Sequence, residues 1–536
     1  MTIETTPTTE QRTSVVTATL TSAFDECYRR FSDRPAVIGE DGERLTYAEL
    51  GNRARRLAGG LAELGMGAGD RAIVLLQNRP ECFVIDHALA AGGFVRVALS
   101  YRLHAREIAQ IAADCDPVVA FVDAEREVEF AAAAAEAGLS MTIVAVDAPR
   151  TEIALRFDAL LESAEIEPPH VVPEDLAWLP YTSGTTGEPK GVMLSHRSVL
   201  ACARNLMVAL DRIESDDVVL HVAPLTHLSG YLSVPYTLGG AAHLCAAKFE
   251  PVAALTAIAE HRVTVLPAVP TMLNMLLPHL ESGSWNTDTL HTVLYGGSAI
   301  APERLRRLVN CLGEVFVQGY GLTEVPFPLA SLSKHEHRFD PDAPVPARLA
   351  SAGRVIPFVE VRLVTPDGDI AAEGEEGEIQ ARGDTTMLGY WNRPAATADV
   401  LLADGWAATG DIGRFEDGFL HIVDRKKDMI VSGGFNVFPA EIEAAISALE
   451  GVAEVAVIGV PDPRWGEAVK AVVVVREGFD VAEGDIDAVC LERIASYKRP
   501  RSVEFVGELP KTGSGKIQRH VLRSRHWAGQ ERRIGG

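Results

Sequence analysis

The chain has 536 residues, too many for one ordinary core, so two or more domains are expected. Apolar residues make up 47% and charged residues 23%, and 74 acidic against 50 basic residues leave a formal charge of −24. That balance speaks against a general nucleic-acid binder or a ligand of anionic membranes, while leaving room for a local cationic pocket. The seven cysteines are widely spaced with no C-x-x-C, which argues against a zinc knuckle or disulfide framework and fits reduced thiols in a cytoplasmic protein.

The elements follow in chain order. Residues 1–14 are polar and Thr-rich, with no basic stretch leading into an apolar run. They read as a frayed tail, not a signal peptide. No run of about 18 apolar residues occurs, so no membrane span is expected. "LTYAELGNRARRLAGGLAELG" carries a capping box, Thr46 with Glu49. It then places Leu57, Leu61 and Leu64 on one helical face before Gly65. "RAIVLLQ", "DPVVAFVD" and "MTIVAVD" read as strands, the last two separated by the helical "AEREVEFAAAAAEAG". Alternating β and α units predict a layered, parallel α/β sheet. From about residue 355 to 422, short β-type runs between Gly, Asp and Pro turns predict a β-rich subdomain. After "DRKKD" the pattern returns to α/β. "PAEIEAAISAL" reads as a helix starting near Pro439, followed by strands in "EVAVIGV", "AVKAVVVV" and "SVEFV". The expected division is an N-terminal domain over 1–423, a hinge over 424–428 and a small α+β domain over 429–536.

One stretch carries the clearest chemistry. In "YTSGTTGEPKGV", Gly184 and Gly187 permit sharp turns, Thr182, Ser183, Thr185 and Thr186 supply hydroxyls, and Lys190 supplies a cation. Such a set suits a polyphosphate. The Walker A spacing is not met, and composition alone leaves a polar surface loop as the alternative.

The stretch resembles the signature loop of the adenylate-forming superfamily, which contains acyl-CoA synthetases, adenylation domains and firefly-type luciferases. "LYGGSAI", "QGYGLTE", "GEIQARG", "GYWNRP", "DGWAATGDIG", "DRKKDMIVSGGFNVFPAEIE" and "LPKTGSGKIQR" match the same family in family order, from about residue 20 to about 525. The resemblance implies two steps. A carboxylate attacks the α-phosphorus of ATP and expels pyrophosphate. A thiol, usually that of coenzyme A, then attacks the acyl-adenylate and AMP leaves.

The resemblance also implies roles. Glu324 resembles the Mg²⁺ ligand, assisted by Thr185 or Thr186 through the phosphates. Lys516 resembles the lysine that bridges the substrate carboxylate and α-phosphate. Asp411 resembles the acceptor of the ribose hydroxyls, Arg425 a cation at ribose or phosphate, and Tyr320 the ring against adenine. Gly321 and Thr323 share that motif. Gly296, Gly297 and Ser298 would line the adenine and acyl group. Lys427 falls at the hinge about which the small domain turns between half-reactions, one face presenting Lys516 and the other Gly434 at the thiol tunnel. His227 would pack near carboxylate and thiol, without acid–base duty.

The acyl pocket is expected from Thr226–Tyr236, Ala268–Met272 and Tyr295–Ser298, with Pro326, Phe327 and Pro328 narrowing one wall. It contains few charges, which predicts an apolar or aromatic acid. No acidic residue follows His227 where amino-acid-activating relatives hold an ammonium, so an amino-acid substrate is disfavoured. The expected enzyme is a free-standing acyl-CoA synthetase using ATP, Mg²⁺ and coenzyme A. The alternative is an acyl-AMP ligase that loads a carrier protein's phosphopantetheine, or one that runs a single half-reaction. A carrier protein and a homodimer are the candidate macromolecular partners.

Overall fold

The computed structural model describes residues 18–183, 189–283, 285–298, 300–340, 343–425, 428–432, 435–462, 466–494, 496, 498–511 and 517–527. Four sheets organise them. In one nine-stranded sheet the strands Val95–Ala98, Arg71–Leu75, Val119–Val122 and Thr142–Ala145 lie side by side and parallel. In the second, Phe316–Tyr320, Thr292–Gly296, Val265–Ala268, Val218–His221, Ala242–Cys245 and Pro35–Ile38 form the parallel centre. The central strands are apolar and buried, as parallel strands covered on both faces require.

Helices fill the space against these sheets. Tyr47–Glu63 begins at the anticipated capping box: the Thr46 side chain accepts from Glu49 N, and Thr46 N donates to Glu49 Oε2 at 2.8 Å. Its Leu57 and Leu61 are fully buried. Nine of the 12 residues of Pro80–Ala91 are buried, so this largely apolar helix lies inside the fold and not on its surface.

The β-rich stretch is a four-stranded antiparallel sheet of Glu360–Val364, Gly377–Arg382, Ala407–Glu416 and Phe419–Arg425. Its last strand runs through Arg425, so the first two residues of the 424–428 segment belong to this sheet. The C-terminal sheet is built on the hairpin of Val452–Asp462 and Gly466–Val475, with Ser502–Phe505 parallel beside it. Helices Pro439–Ser447 and Glu483–Arg493 contribute to a separate small core around Ile442, Val457, Val473 and Ile486. The fold is therefore mixed α/β, with a large N-terminal part of layered sheets and a small C-terminal domain, as the alternation of elements predicts. All seven cysteines are unpaired, and no helix among the described residues is long and apolar enough to cross a membrane.

Candidate active site

Gly296 and Tyr320 lie at the carboxyl ends of neighbouring parallel strands, where open α/β sheets hold ligands. Gly296 closes the strand Thr292–Gly296 and is buried, whereas Gly297 and Ser298 just beyond are exposed. Gly297 has φ +80°, a left-handed backbone that favours glycine. Tyr320 ends the neighbouring strand, and Gly321, Thr323 and Glu324 follow it half-buried.

Tyr320, Asp411 and Arg425 come together. Asp411, 4% exposed, accepts at Oδ2 from Tyr320 Oη at 2.7 Å and forms an ion pair through Oδ1 with Arg425 Nε at 3.0 Å. The ladder explains the second contact, since Asp411 and Arg425 face each other across adjacent strands. The Asp411 charge is the main cause that holds the Arg425 guanidinium above its ordinary range. Burial, then Asp411, pushes the Tyr320 phenol up. Each carboxylate oxygen retains acceptor capacity beyond these contacts.

A second cluster joins Glu324 to Lys190 of the Gly- and Thr-rich stretch. Tyr390 Oη donates to Glu324 Oε1 at 2.8 Å, and the Lys190 ammonium stands 5.3 Å from the centre of the Tyr390 ring. Lys190 belongs to the strand Pro189–Ser195, which pairs antiparallel with Tyr181–Ser183 and sets Lys190 opposite Thr182. These two strands form a β-hairpin. Its base is fixed from outside: Tyr181 Oη donates to Asp114 Oδ2 at 2.7 Å, Arg393 pairs with Asp114 Oδ1 at 3.0 Å, and Trp391 Nε1 donates to Asp114 O at 3.0 Å.

His227 is exposed at the start of the helix Leu228–Gly239, with Nδ1 2.7 Å from Thr226 Oγ1. The turn before it is clamped. Asn78 Nδ2 donates to His221 O and Ala223 O, Leu225 N donates to Asn78 Oδ1, and Arg96 Nη2 donates to Leu225 O. Arg96 is itself held by Asp86 at 2.6 Å. A cleft of about 60 Å³ opens beside His227, between Leu228, Phe249, Val269 and Met272, with Arg102 and Lys248 on its polar side.

Two residues of the expected acyl pocket lie elsewhere. Tyr236 is fully buried in the core. Tyr295 is fully buried too, with its hydroxyl on His337 Nε2 at 2.9 Å and on Gln318. Both side chains point into the packing around the sheet, so neither lines an open pocket. Phe327 packs against the Tyr320–Glu324 segment. It is buried over Gly321, where a Cβ would stand 2.5 Å from Phe327 Cα.

Lys516, Thr185, Gly184, Thr186, Gly187, Gly434 and Lys427 lie outside the described residues, and Ser183 is described by its backbone alone. Sequence reasoning assigned no role to Tyr390, Asp114 or Asn78. Tyr390 lies within "GYWNRP" and could have been found there; Asp114 and Asn78 carry no local signal.

The model of the AMP-binding enzyme family matches residues 24–391, and that of the AMP-binding enzyme C-terminal domain matches 441–516. The chain is 39% identical over 501 residues to a feruloyl-CoA synthase of Amycolatopsis sp., covering 92% of this chain and 97% of that protein. It is 35% identical over 529 residues to the medium/long-chain-fatty-acid–CoA ligase FadD8 of Mycobacterium tuberculosis, covering 95% and 90%. The solved structure of the amide bond synthetase McbA from Marinactinospora thermotolerans superposes with a TM-score of 0.85 at 29% identity, covering 95% of this chain and all of that one (100%). The chain belongs to the AMP-binding enzyme family, among its ATP-dependent, AMP-forming acyl-CoA ligases.

Proposed function

We propose that this acid–thiol ligase activates an aromatic or other largely apolar carboxylic acid, with Asp411 and Arg425 holding the ribose and Lys190, Thr182 and the 184–188 loop holding the polyphosphate. The observation that carries the reading is the Tyr390-mediated link between Glu324 and Lys190. An anion and a cation held to one aromatic ring support a reading in which the pyrophosphate separates beside them. The arylpropenoic acid of the feruloyl-CoA synthase relative is the natural first substrate to try.

The donor set at Glu324 fits Mg²⁺. That ion takes one or two carboxylates and completes its shell with phosphate oxygens and water, and Glu324 keeps Oε2 free of any described partner. Bound there, with the Thr185 hydroxyl, Mg²⁺ would supply charge neutralisation on the leaving pyrophosphate. Tyr390 fixes the carboxylate's direction, and Lys190 offsets phosphate charge.

In the second half-reaction the thiol reaches the adenylate past His227 and Gly434. Arg102 and Lys248, beside the same cleft, complement the phosphates of coenzyme A. Domains over 1–423 and 429–536 turn about 424–428 with Lys427, so that Lys516 serves adenylation only. Asp428 supports this coupling: it takes Arg523 at 2.7 Å and Arg519 at 3.8 Å, tying the helix just after Lys516 to the hinge. The test is thioester formation from a carboxylic-acid panel with ATP and coenzyme A, read by mass spectrometry. Aryl-CoA or other largely apolar acyl-CoA products support the reading; turnover of strongly polar or charged acids alone overturns its substrate class.

A further inference from the structure

The strands and the helix that meet at the cleft beside His227 are joined by a chain of four buried side chains. His221 Nδ1 is 2.7 Å from Ser229 Oγ, His221 Nε2 is 2.9 Å from His243 Nδ1, and His243 Nε2 is 2.9 Å from Thr237 Oγ1. All four residues are buried, and Phe83 covers both rings, 4.6 Å from His243 and 5.5 Å from His221. Burial holds both imidazoles far below their ordinary range, so both are neutral at pH 7. Each neutral ring has one N–H, and one proton must sit between the two rings. Both rings therefore carry it on the same nitrogen, Nδ1 in both or Nε2 in both.

The placement of these residues relates them to the cleft. His221 ends the strand Val218–His221, and Ser229 is the second residue of the helix Leu228–Gly239. Their bond closes the turn between them, and residues of 222–228 supply one wall of the cleft. His243 lies on the neighbouring strand Ala242–Cys245, on the same sheet face as His221. That strand leads into 247–249, which supplies a second wall. Thr237 follows Ser229 by about two turns of the helix. Asn78, itself a residue of the cleft, donates to His221 O at 2.9 Å. The side-chain chain thus ties both walls to each other and to the helix that begins at the cleft.

We propose that Thr237, His243, His221 and Ser229 form a positioning relay that sets the spacing of the cleft walls, and so the fit of coenzyme A in the thioester-forming step. This rests on the reading above that coenzyme A uses this cleft. The four residues act through the walls and not on a reacting atom. Satisfied buried networks rigidify the segments they join, and a site that must align two reactants tolerates little displacement of its walls.

The experiment measures kcat and KM for coenzyme A, and acid-dependent pyrophosphate exchange without coenzyme A, in the full chain and in Ser229→Ala, Thr237→Val and Lys248→Ala. The acid is the one of the panel that the unsubstituted protein turns over fastest. Ser229→Ala and Thr237→Val should each raise KM for coenzyme A by about three- to tenfold and leave pyrophosphate exchange within about twofold. Equal loss in both assays overturns the relay. So does an unchanged KM for coenzyme A in both relay variants while Lys248→Ala raises it, and the cleft reading then stands. An unchanged KM in all three variants refutes the cleft reading and the inference with it. Histidine ¹⁵N NMR of the unsubstituted protein adds a check that needs no variant to fold. Two neutral rings of one tautomer are expected at pH 7; opposite tautomers, or an imidazolium at either position, overturn the relay.

Discussion

Tyr390 Oη donates a 2.8 Å hydrogen bond to Glu324 Oε1 across 66 residues of sequence, and the same ring carries the Lys190 ammonium on its face. One aromatic side chain thereby sets the direction of the carboxylate and the place of the cation. Tyr390→Phe keeps the ring beneath Lys190 and removes only the hydrogen bond. A bond to a charged acceptor is worth about 1.5–3 kcal/mol, so adenylation should fall by about tenfold or more. The Mg²⁺ concentration for half-maximal pyrophosphate exchange should rise in parallel. An unchanged Mg²⁺ dependence would remove Tyr390 from this role.

Asp411→Ala removes the partner of both Tyr320 and Arg425. The buried Tyr320 hydroxyl, on a residue 8% exposed, loses its carboxylate acceptor. Stability should fall by about 1–3 kcal/mol in urea unfolding, and KM for ATP should rise. Loss of stability with an unaltered KM for ATP would make the triad purely structural.

Asn78→Ala frees the turn before His227 by removing three hydrogen bonds to His221 O, Ala223 O and Leu225 N. Leaving these groups without their partner should cost about 2–3 kcal/mol of stability. If the clamp positions His227 for the thiol, coenzyme A-dependent turnover of a supplied acyl-adenylate should fall more than pyrophosphate exchange. Equal changes in both steps would contradict that positioning.

Stability should depend on pH through buried neutral histidines. Burial lowers His87 and His221 to about 3, His196 and His337 to about 4, and His243 well below its ordinary value. Each is depressed in the folded protein, so the unfolded chain binds more protons below pH 6.5. Their contribution is fully present above about pH 6.5 and is lost as pH falls toward 3–4. Unfolding at pH 5.5 should take up about 4 protons from these groups, measurable as the slope of unfolding free energy against pH. A flat profile between pH 7 and 5 would show that these rings are hydrated.

Local patterns made much of the fold legible. The Thr46–Glu49 box, the Leu57 and Leu61 stripe and the Pro439 start depend on residues within one or two turns. The triad residues Tyr320, Asp411 and Arg425 were readable because each sits in a short motif of fixed spacing. Their partners were not. Asp114 reaches Trp391 across 277 residues and Asn78 reaches Leu225 across 147, and no periodicity records a contact made by topology.

Lys516→Ala separates the two half-reactions. Acyl-adenylate formation should fall by about a hundredfold or more, on the order of removing one electrostatic stabiliser of the transition state. Conversion of supplied acyl-adenylate and coenzyme A to thioester should survive. Equal loss in both steps would contradict the two-face use of the small domain.

The most direct measurement is exchange of labelled pyrophosphate into ATP by the full chain, with and without aromatic carboxylic acids. The account expects exchange that depends on both the acid and Mg²⁺ and that disappears in Glu324→Gln. Acid-independent exchange, or none with any acid of a broad panel, would contradict it.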